Sequence, residues 1–264
     1  MQTGLDTVTA KKYLILALVA CASVNLISNF VGNYAAIFVG NVMYIPVSGT
    51  LLIVSILMIS RFGISGNIGL AWVSFGGYAI SWFIAEMLWI VQELYLKIDP
   101  FPSPADIFYL IGYPFLLMFF IAYLQPVRFA ITKKMLIATS SFAVGILIPS
   151  LYLALEPSKS SDLLQRVLSV IYPTFDAVLL IPALLGVALF FKGQVNFTWT
   201  LICMGTISVF VADTAFLFAQ NEDSYYTGNP MEIMFYWNYI LLTFGVYGHM
   251  KLFQRPKQDD AQYG

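Results

Sequence analysis

The chain has 264 residues, of which 59% are hydrophobic and only 10% charged, with a mean hydropathy of +0.80. Soluble domains carry about 25% charged residues, so a soluble fold is excluded and most of this apolar surface must meet lipid. A net charge of −1 gives no basic footprint, so no nucleic-acid partner is expected. The cysteines, Cys21 and Cys203, lie in apolar runs with neither disulfide-framework nor metal spacing, and His249 is the single histidine.

A bilayer span needs ~20 mainly apolar residues. Eight such segments are predicted in chain order, at about 13–33, 36–60, 67–91, 104–124, 134–154, 167–191, 197–219 and 230–253. The predicted fold is an all-α polytopic membrane bundle, a single transmembrane domain over 1–264 with a polar tail at 254–264. The joints are short and carry breakers: Arg61-Phe-Gly-Ile-Ser-Gly, Gln125-Pro126, Glu156-Pro157-Ser158-Lys159 and Lys192-Gly193. Near the start, Lys11-Lys12 and the apolar run closing on Cys21 are open to a lipoprotein-signal reading. A first transmembrane helix is preferred, because apolar sequence continues to about 31.

Basic residues set the orientation. With the N-terminus inside, the inner segments carry Lys11, Lys12, Arg61, Arg128, Lys133, Lys134, Lys192, Lys251, Arg255 and Lys257. The outer ones carry Lys97, Lys159 and Arg166. Both termini are therefore expected on the cytoplasmic side of a cell membrane.

A near-constant offset suggests an internal duplication. Ala85-Glu86 recurs as Ala212-Asp213, Ser103-Pro-Ala-Asp106 as Asn229-Pro-Met-Glu232, Tyr113 as Tyr239, and Leu51-Leu52-Ile53 as Leu179-Leu180-Ile181. The shift spans four helices, which predicts two parallel four-helix repeats, about 11–125 and 132–253, with a site at their interface.

Nine of the acids fall in termini or outer loops: Asp6, Asp259 and Asp260 in the termini, and Glu93, Asp99, Glu156, Asp162, Glu222 and Asp223 in the loops. The other five, Glu86, Asp106, Asp176, Asp213 and Glu232, lie in or at the ends of spans, all toward the predicted outer side. No predicted inner loop within the chain carries an acid. Glu86 and Asp213 sit about five or six residues, or ~8 Å, from the outer ends of their spans. An acid facing lipid costs at least ~2.5 kcal/mol, so all five should face the bundle interior, water or one another. Asp106 and Glu232 each stand third after a cap residue and a proline, so a capping box explains them. Glu86, Asp176 and Asp213 have no such explanation, and no Lys or Arg lies at their depth. They are weighed as ligand-binding groups against an interhelical hydrogen-bond network. Tyr109, Tyr113, Tyr172, Trp89 and Trp237 are candidate walls of one outward-facing cavity, with an interfacial aromatic belt preferred for the two tryptophans. Pro114 leaves the Leu110 carbonyl without its helical donor and predicts a kink. His249, beside Lys251, reads as an interfacial residue.

Pro102-Ser-Pro-Ala-Asp-Ile-Phe-Tyr-Leu-Ile-Gly-Tyr-Pro114 resembles the PSxADxxYLxGYP signature of multi-helix membrane sensor regions in bacterial signalling proteins. Those regions precede cyclic-di-GMP synthesis or hydrolysis domains (GGDEF and EAL) or histidine kinase domains. Tyr172-Pro-Thr-Phe-Asp176, Ala212-Asp213 and Trp237-Asn-Tyr239 resemble the later part of such regions. The resemblance covers spans 3–8 by motif and spans 1–2 by position. It implies a sensory module with Asp106, Asp176 and Asp213 on matching positions, and it implies no particular ligand. No output domain follows the last helix here, so a stand-alone module is the expectation.

The sequence thus points to a membrane sensory or regulatory module that binds a ligand or cation through Glu86, Asp176, Asp213, Tyr109, Tyr113, Asp106 and Glu232. Its expected partners are the bilayer, a membrane or cytoplasmic protein and a small ligand or cation. The cofactor is unknown. A proton- or cation-coupled transporter or channel and an assembly subunit of a larger complex are the alternatives. An intramembrane enzyme is least expected, because no Ser–His, Cys–His or multi-histidine constellation is present.

Overall fold

The computed structural model describes residues 2–155, 163–191, 193 and 195–253, without the side chains of 2–8 and 154–155. Glu156, Lys159, Asp162, Lys192 and the 254–264 tail, with Arg255, Lys257, Asp259 and Asp260, lie outside the described residues. The described chain is all helical, without a strand. Its eight α-helices are α1 (Gln2–Val31), α2 (Asn33–Phe62), α3 (Gly66–Ile90), α4 (Pro104–Leu124), α5 (Lys133–Leu155), α6 (Leu163–Phe190), α7 (Asn196–Asn221) and α8 (Ile233–Leu252). Seven of them, α1 to α7, are long and apolar enough to cross a membrane. The exception, α8, has 20 residues. It carries Tyr236, Asn238, Tyr239 and His249, all buried, and packs against α7, α2 and α1. A helix surrounded by protein can hold polar side chains that a lipid-facing helix cannot.

The helix boundaries follow from local chemistry. At α4, Ser103 Oγ accepts from the Ala105 N–H, Asp106 Oδ2 accepts from the Ser103 N–H at 2.7 Å, and Pro104 fills the first helical position, where no N–H donor is needed. The predicted capping box is therefore present there. Its counterpart before α8 is different. Asn229 Oδ1 does accept from the Met231 N–H, but Glu232 accepts from the Gly228 N–H at 2.9 Å and from two tyrosines, not from Asn229. Residues Pro230–Glu232 form a 3-10 turn leading into α8. Pro46, Pro114, Pro149, Pro173 and Pro182 all lie inside continuous helices. Beyond α3 the chain widens into a π-helical stretch, Val91–Leu96, which ends on Lys97 with a left-handed backbone. Cys21 is buried midway along α1.

Packing is most extensive within the pairs α3–α4 and α7–α8, and α4 also packs on α6 and α2 on α8. The spans of α3 and α7 are the most enclosed by protein and that of α5 the least. α3 and α7, the central spans, are the helices that carry Glu86 and Asp213.

Candidate functional site

At one end of the bundle, residues of α2, α3, α4, α6, α7 and α8 enclose a cavity with about 50 Å³ of water-accessible space. At ~10–15 Å³ per water this is room for roughly three to five waters. Four of its fourteen lining residues are acids, Glu86, Asp106, Asp213 and Glu232, and nine are aromatic. No lining residue is basic. Trp82 and Tyr109 form part of the wall, with rings 5.5 Å apart and edge to face, and Trp82 Nε1–H donates to the Tyr109 carbonyl at 3.1 Å. The chain between α3 and α4 contributes Phe101, and the chain between α7 and α8 contributes Tyr225.

Each of the five acids that lie in or beside the helices is met by a tyrosine hydroxyl. Tyr239 of α8 donates to Glu86 Oε1 of α3. Tyr172 of α6 donates to Asp106 Oδ1 at 2.6 Å. Glu232 accepts from Tyr225, and from Tyr236 at 3.1 Å. The Tyr113 hydroxyl of α4 lies 2.9 Å from Asp176 Oδ1 of α6 and 3.0 Å from Asp213 Oδ2 of α7. That hydroxyl has one proton and can donate to only one carboxylate at a time. Asp176 is 0% exposed and its second oxygen, Oδ2, is buried with no donor. The Asp213 carboxyl lies beside it. Two carboxylates in contact, with one donor between them and no base, are relieved by a shared proton or a bound cation.

Of the sequence-predicted residues, Glu86, Asp106, Tyr109, Asp213 and Glu232 line the cavity, while Asp176 and Tyr113 lie behind it and reach it through Asp213. Tyr172 lines it as well. One aromatic assignment changes. Trp89 is 7% exposed, lines the cavity and donates from Nε1 to Thr227 Oγ1, so it belongs to the interior rather than to an interfacial belt. Trp237 is part-buried and fixed to the Leu18 carbonyl. His249 is also interior, at 3% exposed. Its Nε2 is 2.6 Å from the Tyr123 hydroxyl, and its ring packs against Trp72 and Phe62. Among the acids read as loop residues, Glu93 accepts from Asn41 Nδ2 of α2 at 2.8 Å.

Sequence reasoning missed Tyr44, Trp82, Tyr225 and Tyr236. Signals for two of them were present, because Trp82 stands one helical turn before Glu86, and Tyr236 one turn after Glu232. Among the described residues, no three His, Cys, Asp or Glu side chains converge closely enough to hold a metal ion. No family model, curated protein or solved structure matches the chain. The case for function therefore rests on the geometry of this cavity.

Proposed function

We propose that this chain is a multi-pass membrane sensory or regulatory module that binds a small ligand or cation in the acidic, aromatic cavity and passes occupancy to a partner protein through its helices. The observation that carries the reading is the cavity wall, where four acids and nine aromatic rings surround a small space with no basic residue. A purely structural network would be expected to pair its acids and fill the space between them. Here Tyr113, Tyr236 and Tyr239 hold Asp213, Glu232 and Glu86 from behind, Tyr172 and Tyr225 hold Asp106 and Glu232 from within the wall, and the space is left open. The resemblance of 102–114, 172–176 and 212–213 to sensor regions of bacterial signalling proteins supports the same reading.

In this reading α8 is the eighth span, and the cavity opens to the cell exterior with both termini inside. The bundle comprises two parallel repeats. The Tyr113–Asp213 bond between α4 and α7 has its counterpart, four helices on, in the Tyr239–Glu86 bond between α8 and α3. The α4–α6 and α2–α8 contacts correspond in the same way. Orientation has a simple check. Tyr95 and Phe129 are both exposed, between α3 and α4 and between α4 and α5 respectively, whereas Cys21 and Cys203 are buried. In intact cells, Tyr95→Cys should react with a membrane-impermeant thiol reagent and Phe129→Cys should react only after permeabilisation. The reverse pattern would put the cavity on the cytoplasmic side.

Saturable changes in tryptophan fluorescence on titration with cations test the binding itself, since Trp82 and Trp89 line the cavity. Asp213→Asn and Asp176→Asn should each weaken the response by about tenfold, the scale of one lost charged contact. If both variants fold and titrate like the unmodified protein, the proposal fails. A second reading, proton-coupled transport, is favoured by the Asp176–Tyr113–Asp213 cluster, which runs from the cavity wall at Asp213 to the interior behind it. Flux in proteoliposomes under a proton gradient would establish it, and a binding response without flux would leave the sensory reading in place.

A further inference from the structure

We infer that the cavity selects a small organic ammonium ion, of methylammonium to choline size, over an inorganic cation or a neutral molecule. This rests on the cavity being a ligand site at all, and it specifies the chemistry of that ligand.

Four features of the cavity lead there. The acids are spread around the wall and no three of them converge, whereas calcium takes six to eight oxygens at 2.3–2.6 Å and magnesium an octahedron. Carboxyl oxygens are therefore dispersed around the space, without the close oxygen cage that a bare metal ion needs to replace its water. Aromatic rings make up nine of the fourteen lining residues. Ring faces compensate poorly for lost metal hydration, but they attract alkylammonium groups, which carry a diffuse charge and shed water readily. No basic side chain offsets these acids within the wall. Asp176 Oδ2 is fully buried without a donor and lies against Asp213, whose carboxyl lines the cavity. A cation in the cavity meets Asp213 directly, and Asp176 only through Asp213. Finally, the space of about 50 Å³ fits a headgroup of a few heavy atoms and excludes a nucleotide or a peptide.

Ammonium chemistry reaches a membrane protein either as a free amine or as a lipid headgroup. The two are separated by reconstituting the protein in nanodiscs of pure phosphatidylglycerol, which carry no amine, and in nanodiscs containing phosphatidylethanolamine. In the first, choline and tetramethylammonium should each give a saturable tryptophan response and raise Tm. At matched ionic strength the neutral isostere 3,3-dimethylbutan-1-ol should bind at least about tenfold more weakly. If a lipid headgroup is the natural occupant, the same choline titration weakens in the phosphatidylethanolamine discs. If a free amine is, it is unchanged. Either result supports the ammonium assignment and identifies the source.

Three results would overturn it. Saturation by sodium, potassium or calcium with no response to choline or tetramethylammonium would refute the ammonium assignment and leave the cation cavity standing. Equal binding of the neutral isostere would show that charge is not read. No response to any of these probes would remove both the assignment and the binding function beneath it. Because all these titrations use the unmodified protein, the result does not depend on a variant folding. Glu86→Gln, which keeps the side-chain shape and an acceptor for Tyr239, should lower choline affinity while leaving the isostere's affinity unchanged.

Discussion

Tyr113→Phe should be among the most destabilising conservative substitutions in the protein. The exchange removes one oxygen and little volume, so packing alone predicts almost no effect. That oxygen, however, is the hydrogen-bond partner that Asp176 and Asp213 share, at 2.9 and 3.0 Å. Without it Asp176 keeps only its contact with the Asp213 carboxyl, since Oδ2 has no other donor, and it is 0% exposed. Leaving a buried polar group unsatisfied costs about 1–3 kcal/mol, and more if it is charged. We expect a Tm loss of several degrees in Tyr113→Phe. Asp176→Asn in the same background should restore much of it, because the amide is neutral and its NH2 can donate to Asp213. Asp176→Asn alone should fold close to normally, since removing one of two apposed carboxyls relieves their repulsion. A thermal-melt series of the two single variants and the double variant measures the coupling directly. Strict additivity would mean that the hydroxyl does not hold the acid pair.

Gly228→Ala should have an effect as large by a different route. Gly228 has φ +87, a left-handed backbone that non-glycine residues rarely adopt, and an added Cβ would overlap the Ala36 carbonyl oxygen at the start of α2. The approach is close from both sides, because a Cβ on Gly40 would meet Gly228 Cα and N at 2.6 Å. This contact anchors the chain between α7 and α8. The Gly228 carbonyl accepts from Asn25 at 2.9 Å and from Asn29 at 2.8 Å, both on α1, and its N–H donates to Glu232 Oε2. Moving the backbone aside breaks the tie to α1 and disturbs Glu232 in the cavity wall. Backbone strain and overlap together should cost about 3 kcal/mol or more. Gly145→Ala is the control. Nothing lies within 4 Å of a Cβ placed there, and alanine favours a helix by up to about 1 kcal/mol relative to glycine, so this variant should be neutral or slightly stabilising. A Gly228→Ala protein as stable as Gly145→Ala would contradict the close approach.

Much of the architecture is legible in the sequence because lipid imposes simple rules. Apolar runs of the right length become helices, and the predicted 104–124 segment coincides with α4, where the cap at Ser103 and Pro104 fixes the start. The same physics brings Asp213 and Glu86 into the interior, since an acid facing lipid is too costly. What the sequence leaves unread are choices between neighbours. Trp89 and His249 have the composition and position of interfacial residues, and only the packing of α3 and α8 within the bundle shows that they are buried. Glu232 has the spacing of a capping box, yet Gly228 and two tyrosines compete for its oxygens and win. The pairing of Tyr239 with Glu86 joins residues 153 positions apart, a contact that no local pattern encodes. The repeated Tyr113 and Tyr239 pointed to the right side chains without saying which acid each would meet.

The proposed function requires the space among Glu86, Asp106, Asp213 and Glu232 to be a binding site and not merely a gap in a structural network. An experimental density map of the protein purified from its native membrane without added ligand, at a resolution that resolves ordered water, tests this most directly. Compact non-protein density is expected between Glu86 and Asp213, against the Trp82 ring and larger than a water. A cavity occupied only by separate waters, each hydrogen-bonded to the acids, in protein shown to respond to no cation, would contradict it.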